Sequence, residues 1–210
     1  MSESGNVYPV DLNVDYPEKS DRLSVFFRII LVIPILIVLS LLLGERETQE
    51  MAQRQEEITR SIGFVVGALV LLILFRGKYP RWWFDWNKQL MAFSLRVFSY
   101  LFLLRDEYPS TDEEQSVHLR MEYPDAQKDL SRWMPLVKWF LAIPHVVVLA
   151  VLNVFTIIAV FLAWLMILFT GRYPRGLFNF VEGVLRWHLR VLSFALIMVT
   201  DKYPPFNLYG

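Results

Sequence analysis

The stretch FTGRYPRGLFNF, residues 169–180, stands between the longest apolar run of the chain and a segment with a narrow polar stripe. A related stretch, FRGKYPRWWFDW, occupies residues 75–86. In the later copy, Gly171 suits the left-handed C-cap of a helix, and Arg172 suits the negative end of that helix. Each copy therefore predicts a boundary at which an apolar helix ends and a striped helix begins.

The two copies belong to a repeat that covers most of the chain. At an offset of 94 residues, Tyr79–Arg81 coincides with Tyr173–Arg175, and Phe84 coincides with Phe178. The segments on either side also correspond, from a short alternating segment before each apolar run to an Asp-x-Tyr-Pro sequence after each striped segment. The sequence therefore predicts two tandem modules.

A charged insertion in the first module explains why the offset changes along the chain. Arg28 and Lys138 coincide at an offset of 110 residues, whereas the later matches need 94. Eight charged residues lie in the insertion. The predicted bounds are residues 7–109 for module one, with the insertion at 44–61, residues 110–116 for a linker and residues 117–210 for module two.

Two short segments alternate apolar and polar residues with the period of a half-buried strand. They are residues 10–15 and 117–122, and a Tyr-Pro pair directly follows each of them. Either strand alone would leave its edges unpaired. We therefore expect the two strands to pair with each other or with a partner.

The first apolar run, residues 24–43, contains one charge, Arg28. It is long enough to cross ~30 Å of hydrocarbon at ~1.5 Å per residue, and Arg28 lies near its start, where a long basic side chain reaches the headgroups. Residues 62–75 form a shorter run, so a second crossing would include some preceding residues. Together they predict a transmembrane helical hairpin in module one.

The longest apolar run, residues 136–169, predicts the same hairpin in module two. Its only basic or titratable groups are Lys138 and His145. Its length suffices for two crossings with a turn near Asn153. We name His145 as the intramembrane polar candidate, for which a proton relay or ligand role and a packed neutral side chain are both open.

The striped segments, residues 82–104 and 177–199, place polar or small side chains along one helical face. The predicted fold class is therefore a mainly α membrane protein of two tandem modules. Each module contains a short strand, a transmembrane helical hairpin and an interfacial amphipathic helix.

Two topologies differ in the position of the striped segments. If these lie in the interface, the chain crosses four times, and all but three of its 21 Lys and Arg residues share the side of the termini. The positive-inside rule places that side in the cytoplasm. If the striped segments cross, the chain has six spans and three arginines lie at mid-bilayer, at ~2.5–3.5 kcal/mol each. We expect four crossings.

Composition excludes several classes of function. Lys+Arg equals Asp+Glu at 21 each, so overall charge indicates no nucleic-acid partner. The chain has no Cys for a disulfide, thiolate site or nucleophile, and its three His lack the spacing of a zinc motif. We assign no catalytic residue, metal or cofactor. A lipid-modifying enzyme that uses Asp85, Asp106 or Asp201 stays an open alternative.

The repeated motif carries a candidate binding site. Seven of the nine tyrosines directly precede a proline, which is typical of element boundaries at a membrane interface. The basic residues of the repeated motif mark a stop-transfer boundary, or they form a site for anionic lipid headgroups or a partner. The candidate residues are Lys78, Tyr79, Arg81, Arg172, Tyr173 and Arg175.

The tandem motif, followed by VLRW at residues 184–187 and DKYPPF at residues 201–206, resembles a known family. It is similar to bacterial membrane proteins grouped as a domain of unknown function with an FTGRYPRGLF-type signature. The first module departs from that signature at Arg76 and Lys78 and by its insertion. The resemblance implies a membrane location and a module that recurs in tandem or beside other domains, but no activity.

These observations predict an integral, multi-pass protein of the bacterial inner membrane with cytoplasmic termini. We expect a non-enzymatic scaffold or accessory subunit that engages lipid headgroups, a membrane or cytoplasmic protein, or another copy of itself. The alternative is a small transporter or channel subunit with a site between the two modules. Few polar groups lie in the apolar runs, which favours a dry interior over a transport pathway.

Overall fold

A computed structural model of the chain describes residues 8–43, 67, 69–76, 78–111, 113, 115–126 and 128–209. Its main elements in chain order are β1 (Val10–Val14), α1 (Arg22–Leu31), α2 (Ile33–Leu43), α3 (Arg81–Leu101), β2 (Val117–Met121), α4 (Met134–Thr170) and α5 (Arg175–Leu192). Short π-helical turns lie at Leu72–Arg76 and Ser193–Ile197. The described residues are mainly helical, as the sequence predicts. The charged insertion at 44–61 lies outside them.

The two strands pair with each other, which confirms one of the two pairings expected from their edges. β1 and β2 run antiparallel, and Leu12 stands opposite Leu119 at the centre of the register. The Leu12 side chain is buried, whereas Asn13 and His118 on the other face are exposed. The sheet therefore packs its apolar face on the helices and leaves its polar face open.

Helix α5 lies between the sheet and α4. On one side, the Glu182 carboxylate accepts a hydrogen bond from the Val14 N–H at 3.0 Å. On the other side, Trp187 Nε1 donates to His145 Nδ1 of α4 at 3.0 Å. The polar stripe of α5 therefore faces β1, where it satisfies strand backbone groups, and the striped helix forms a buried middle layer.

Helix α3 holds a corresponding position in the first half of the chain, where it packs against β2 and α2. Helix α3 ends at Leu101, three residues before the predicted end, and the π-helical turn that continues α5 ends at Ile197, two residues before it. Just beyond these ends, Leu103 and Met198 adopt left-handed backbone with φ of 65° and 61°. A left-handed residue cannot continue a right-handed helix, so the chain leaves the helical direction there.

The hairpin predicted near Asn153 is wrong, because Met134–Thr170 is one continuous helix. No Gly or Pro follows Asn153 before the helix ends. The Asn153 Nδ2 atom lies 3.3 Å from His188 Nε2 of α5 instead of capping a turn. The end of α4 agrees with the prediction, since Gly171 is its left-handed C-cap with φ of 74°.

Length and composition make α4 the one described helix that could cross a membrane by itself. Helices α1 and α2 pass the same test only as a pair, and they meet at an angle of 54°. Pro34 lies at this bend, where its missing N–H weakens the helical ladder. The described residues thus offer at most two spans in place of the four predicted, and residues 62–66 lie outside them.

Candidate functional site

Arg28 is buried and forms an ion pair with Asp106. Its Nη1 donates to the carbonyls of Tyr100 and Arg105 at 3.1 Å each, and its guanidinium carbon lies 4.4 Å from the centre of the Tyr100 ring. The expectation that Arg28 reaches the headgroups is therefore wrong. Both of its Nη atoms bind groups within the chain, and hydrogen bonds of this charge-assisted kind are stronger than neutral ones.

Lys138 occupies a similar setting at the start of α4, where it is fully buried. Its Nζ lies 2.8 Å from Asp201 Oδ1 and donates to the Thr200 carbonyl at 2.8 Å. The Phe194 ring centre lies 5.2 Å from the same nitrogen. A carboxylate, a carbonyl and an aromatic face together make a buried ammonium tolerable.

Backbone groups hold both carboxylates in place. The Asp21 N–H donates to Asp106 Oδ2 at 2.9 Å, and the Ser131 N–H donates to Asp201 Oδ2. Sequence reasoning missed these two ion pairs. The available signal was that an Asp precedes Tyr-Pro after each striped segment and that a basic residue stands early in each apolar run.

The three aspartates considered for catalysis stand in separate settings. Asp106 and Asp201 each neutralise a buried cation, and Asp85 is exposed near the start of α3. Within the described ranges, no group of three His, Asp or Glu side chains is placed to hold a metal ion. The ion pairs give the Asp106 and Asp201 carboxylates a structural role.

The two tyrosines of the candidate binding set are buried. The Tyr79 hydroxyl donates to the Ile197 carbonyl at 2.6 Å, and the Tyr173 hydroxyl donates to the Phe102 carbonyl at 3.4 Å. Burial raises the pKa of both phenols well above the ordinary value, so they stay neutral donors. Their hydroxyls are contacts of the core and do not face a headgroup or a partner.

The four basic side chains of the set are exposed, but they do not lie together. Arg81 lies over the ring of Tyr123, just beyond β2, and Arg175 lies over the ring of Tyr16, just beyond β1. Because the strands are antiparallel, these positions are at opposite ends of the sheet. We call Lys78 with Arg81 the first basic motif and Arg172 with Arg175 the second basic motif.

Each basic motif stands at the beginning of a helix. Arg81 and Arg175 are the first residues of α3 and α5, and Pro80 and Pro174 precede them without a capping side chain. The first N–H groups of a helix have no partner within it, and the helix dipole adds positive charge there. The arginines and the helix ends therefore favour the same kind of ligand, an anionic group.

His145 is a packed core residue. Its ring stacks on Phe206 with centroids 4.0 Å apart, and its Nδ1 accepts from Trp187. The neutral ring then carries its proton on Nε2. Nε2 has no hydrogen-bond partner in the part of the chain that the structure describes. This setting favours the packed neutral side chain over a proton relay.

Helix α4 buries one narrow stripe against the rest of the protein and exposes the remainder. The stripe consists of Pro135, Lys138, Ala142, His145, Leu149, Thr156, Ala159, Ala163 and Ile167. Large apolar side chains cover the rest of the helix from Leu136 to Phe169, and similar side chains are exposed on α1 and α2 from Leu23 to Leu42. We call the exposed apolar surface of α1, α2 and α4 the apolar face.

A cavity of about 340 Å³ lies where α1 meets α4. Its lining is apolar, with Val25 and Leu103 from the first half of the chain and Val160 and Trp164 from α4. Among the described lining residues, Arg28 supplies the one charged group, and it is already engaged by Asp106. This part of the lining suits an apolar occupant.

The family model of a domain of unknown function (DUF4389) matches residues 132–207, which contain α4, α5 and the aspartate that pairs with Lys138. No curated protein matches the chain, and no solved structure matches it.

Proposed function

We propose that the protein is a non-enzymatic membrane protein that serves as a scaffold or accessory subunit. The observation that carries the membrane part of this proposal is the apolar face. In the most apolar stretch of α4, only 22% of the residues are buried. The core helix of a soluble protein would be covered on all sides. Lipid is the solvent in which such a surface is stable.

We also propose that the chain consists of two tandem modules, supported by contacts that recur in both halves. Each half pairs a buried cation with an aspartate. The Tyr16 hydroxyl donates to the Tyr173 carbonyl, as the Tyr123 hydroxyl donates to the Tyr79 carbonyl at 2.6 Å. The proposal no longer includes a hairpin in the second module or four crossings, because α4 is one helix.

The proposed ligands of the two basic motifs are the anionic headgroups of a bacterial inner membrane, on its cytoplasmic side. The exposure of the four basic side chains and their place at uncapped helix starts support this assignment. The buried Tyr79 and Tyr173 are no longer included. A protein partner or a second copy stays the alternative ligand of the same motifs.

The transporter alternative receives less support. A transport site between the modules would need polar groups in a wet cavity. Among the residues that the structure describes, the lining of the cavity between α1 and α4 is apolar apart from Arg28, which is already paired. We therefore favour the scaffold or accessory role.

Vesicle flotation tests the proposal. Replacing Arg172 and Arg175 by Ala should weaken binding to vesicles of phosphatidylglycerol by ~1 kcal/mol per residue and leave weak binding to phosphatidylcholine unchanged. The matched control replaces Arg120, exposed on β2, and Lys128, exposed before α4, which removes the same charge elsewhere. Equal losses in both double variants would contradict a headgroup site. A wild-type protein that does not float would refute membrane attachment.

A further inference from the structure

We infer that the protein enters one leaflet only, with α4 and the α1–α2 pair lying along the membrane plane and the two-stranded sheet facing water. This inference rests on the proposed function, because it specifies how the same apolar face meets lipid. It departs from a spanning arrangement, for which α4 meets the requirements of length and composition. Four features of the structure support it.

The first feature is the order of the layers. Arg186 Nε of α5 donates to the Leu12 carbonyl of β1 at 2.8 Å. The residues next to Arg186 along α5 contact the middle of α4, where Trp187 meets His145 and His188 meets Asn153. The sheet therefore lies above the middle of α4, with α5 between them.

If α4 crosses the membrane, this order of the layers determines the depth at which the sheet lies. The middle of a spanning α4 lies at mid-bilayer, so the sheet beside it would lie at mid-bilayer as well. The exposed side chains of Asn13, His118 and Arg120 would then face hydrocarbon. A charged side chain such as that of Arg120 costs ~2.5–3.5 kcal/mol at the bilayer centre on insertion scales. An α4 that lies in the membrane plane leaves the sheet in water.

The second feature is length. The 37 residues of α4 extend about 55 Å at ~1.5 Å per residue, against a hydrocarbon core of ~30 Å. A straight helix of this length would have to tilt well beyond the ~40° seen for spanning helices to bury its whole apolar surface. A helix in the membrane plane meets no such limit.

The third feature is the relation between the two basic motifs. Directly opposed residues of antiparallel strands point to the same face, so the two-fold axis that relates β1 to β2 through Leu12 and Leu119 is perpendicular to the sheet. The contacts of Arg81 with Tyr123 and of Arg175 with Tyr16 follow the same axis. A membrane perpendicular to this axis meets both basic motifs at one depth, whereas a spanning α4 places them at different depths.

The fourth feature is the distribution of tryptophans. Trp82 and Trp86 are exposed on the first turns of α3, next to the first basic motif, and Trp133 and Trp139 are exposed at the start of α4. Tryptophan prefers the boundary between headgroups and acyl chains. These side chains mark the rim of the apolar face and indicate a lipid leaflet as its occupant.

Single cysteines test this inference, because the chain contains no native Cys. Arg132→Cys and Arg172→Cys place exposed thiols just beyond the two ends of α4. In spheroplasts and inverted membrane vesicles of an expressing bacterium, a membrane-impermeant maleimide should label both sites from the same side and neither from the other. Labelling of the two sites from opposite sides would overturn the in-plane arrangement and leave membrane attachment intact.

Depth measurement gives an independent readout. Spin labels at Phe140, Val154 and Phe169, all outward on α4, should show similar accessibility to oxygen relative to a water-soluble nickel complex. A crossing helix would show a deep middle position between two shallow ends, which would overturn the inference. If flotation separates the protein from vesicles and the chain dimerises through this face in water, both this inference and the proposed function fail.

Discussion

The two halves of the molecule stabilise a buried cation in different ways. In the first half, Arg28 pairs with an aspartate whose side chain is 26% exposed and also binds two carbonyls. In the second half, Lys138 is fully buried, its aspartate is 15% exposed, and one carbonyl completes the site. The second half therefore depends more on its carboxylate, because a compact ammonium has fewer other partners there.

Removing each carboxylate should reveal this difference between the halves with the largest effect on stability. Asp201→Ala leaves Lys138 buried without a counter-charge and should destabilise the protein by about 3–5 kcal/mol. Asp106→Ala should cost less, because Arg28 keeps the carbonyls of Tyr100 and Arg105. Denaturant unfolding in a mild detergent measures both, with the exposed Asp85→Ala as the control. A larger loss of stability in Asp106→Ala than in Asp201→Ala would contradict this difference between the halves.

A second comparison concerns matched positions on the striped helices. A Cβ at Gly183 of α5 would meet the Leu208 carbonyl oxygen at 2.8 Å. Gly183→Ala should therefore destabilise the protein by about 1–2 kcal/mol, since overpacking exceeds the helix propensity gained. Gln89 is the matching residue of α3 and is exposed, so Gln89→Ala should change stability by less than ~0.5 kcal/mol. Thermal unfolding of the two variants compares them, and equal melting temperatures would exclude the close contact.

A third comparison concerns a contact that the halves share. Tyr123→Phe removes the hydrogen bond to the Tyr79 carbonyl, and Tyr16→Phe removes the one to the Tyr173 carbonyl. Each change should cost about 1 kcal/mol, because it leaves a carbonyl at a part-buried position without its hydroxyl donor. Chemical denaturation of the two variants measures these losses. A difference of more than ~1 kcal/mol between them would contradict the equivalence of the two contacts.

The smallest expected effect is a pH dependence of the protein's stability, which arises from Glu107 in the first half. Burial raises the pKa of Glu107, but hydrogen bonds from Ser116 and Arg105 more than offset it, so this pKa is lowered in the folded protein. A lowered folded pKa stabilises the protein above the pKa of the unfolded carboxyl, and this stabilisation is lost as the pH falls through the folded pKa. Glu107→Gln should flatten the acidic side of the stability profile, whereas Lys202→Gln at the matching position should not. If the stability of the wild type and that of E107Q fall equally as the pH is lowered, Glu107 does not have this role.

Much of the backbone could be predicted because its signals are local. The alternation of residues 10–15 and 117–122 predicts both strands to within one residue. Gly171 predicts a left-handed C-cap because glycine adopts positive φ without strain. These features depend on neighbours in the sequence, so the sequence alone suffices to find them.

The errors concern contacts between distant segments. Asn153 has the polarity of a turn residue, but α5 supplies a partner for its side chain, so α4 continues. Arg28 has the position of a snorkelling side chain, but Asp106, which is distant in the sequence, binds it. The candidate binding site no longer includes Tyr79 and Tyr173 for the same reason. Their Tyr-Pro pattern predicts interface residues, but packing against the other half buries them.

The tyrosine hydrogen bonds have a consequence for assembly. The Tyr79 hydroxyl of the first half binds the Ile197 carbonyl of the second, and the Tyr173 hydroxyl of the second half binds the Phe102 carbonyl of the first. Each half therefore supplies a hydrogen-bond acceptor to a tyrosine of the other half. The peptide linkage makes the meeting of the two halves an intramolecular step, with an effective concentration on the order of millimolar. The rate of this step does not depend on the concentration of the protein.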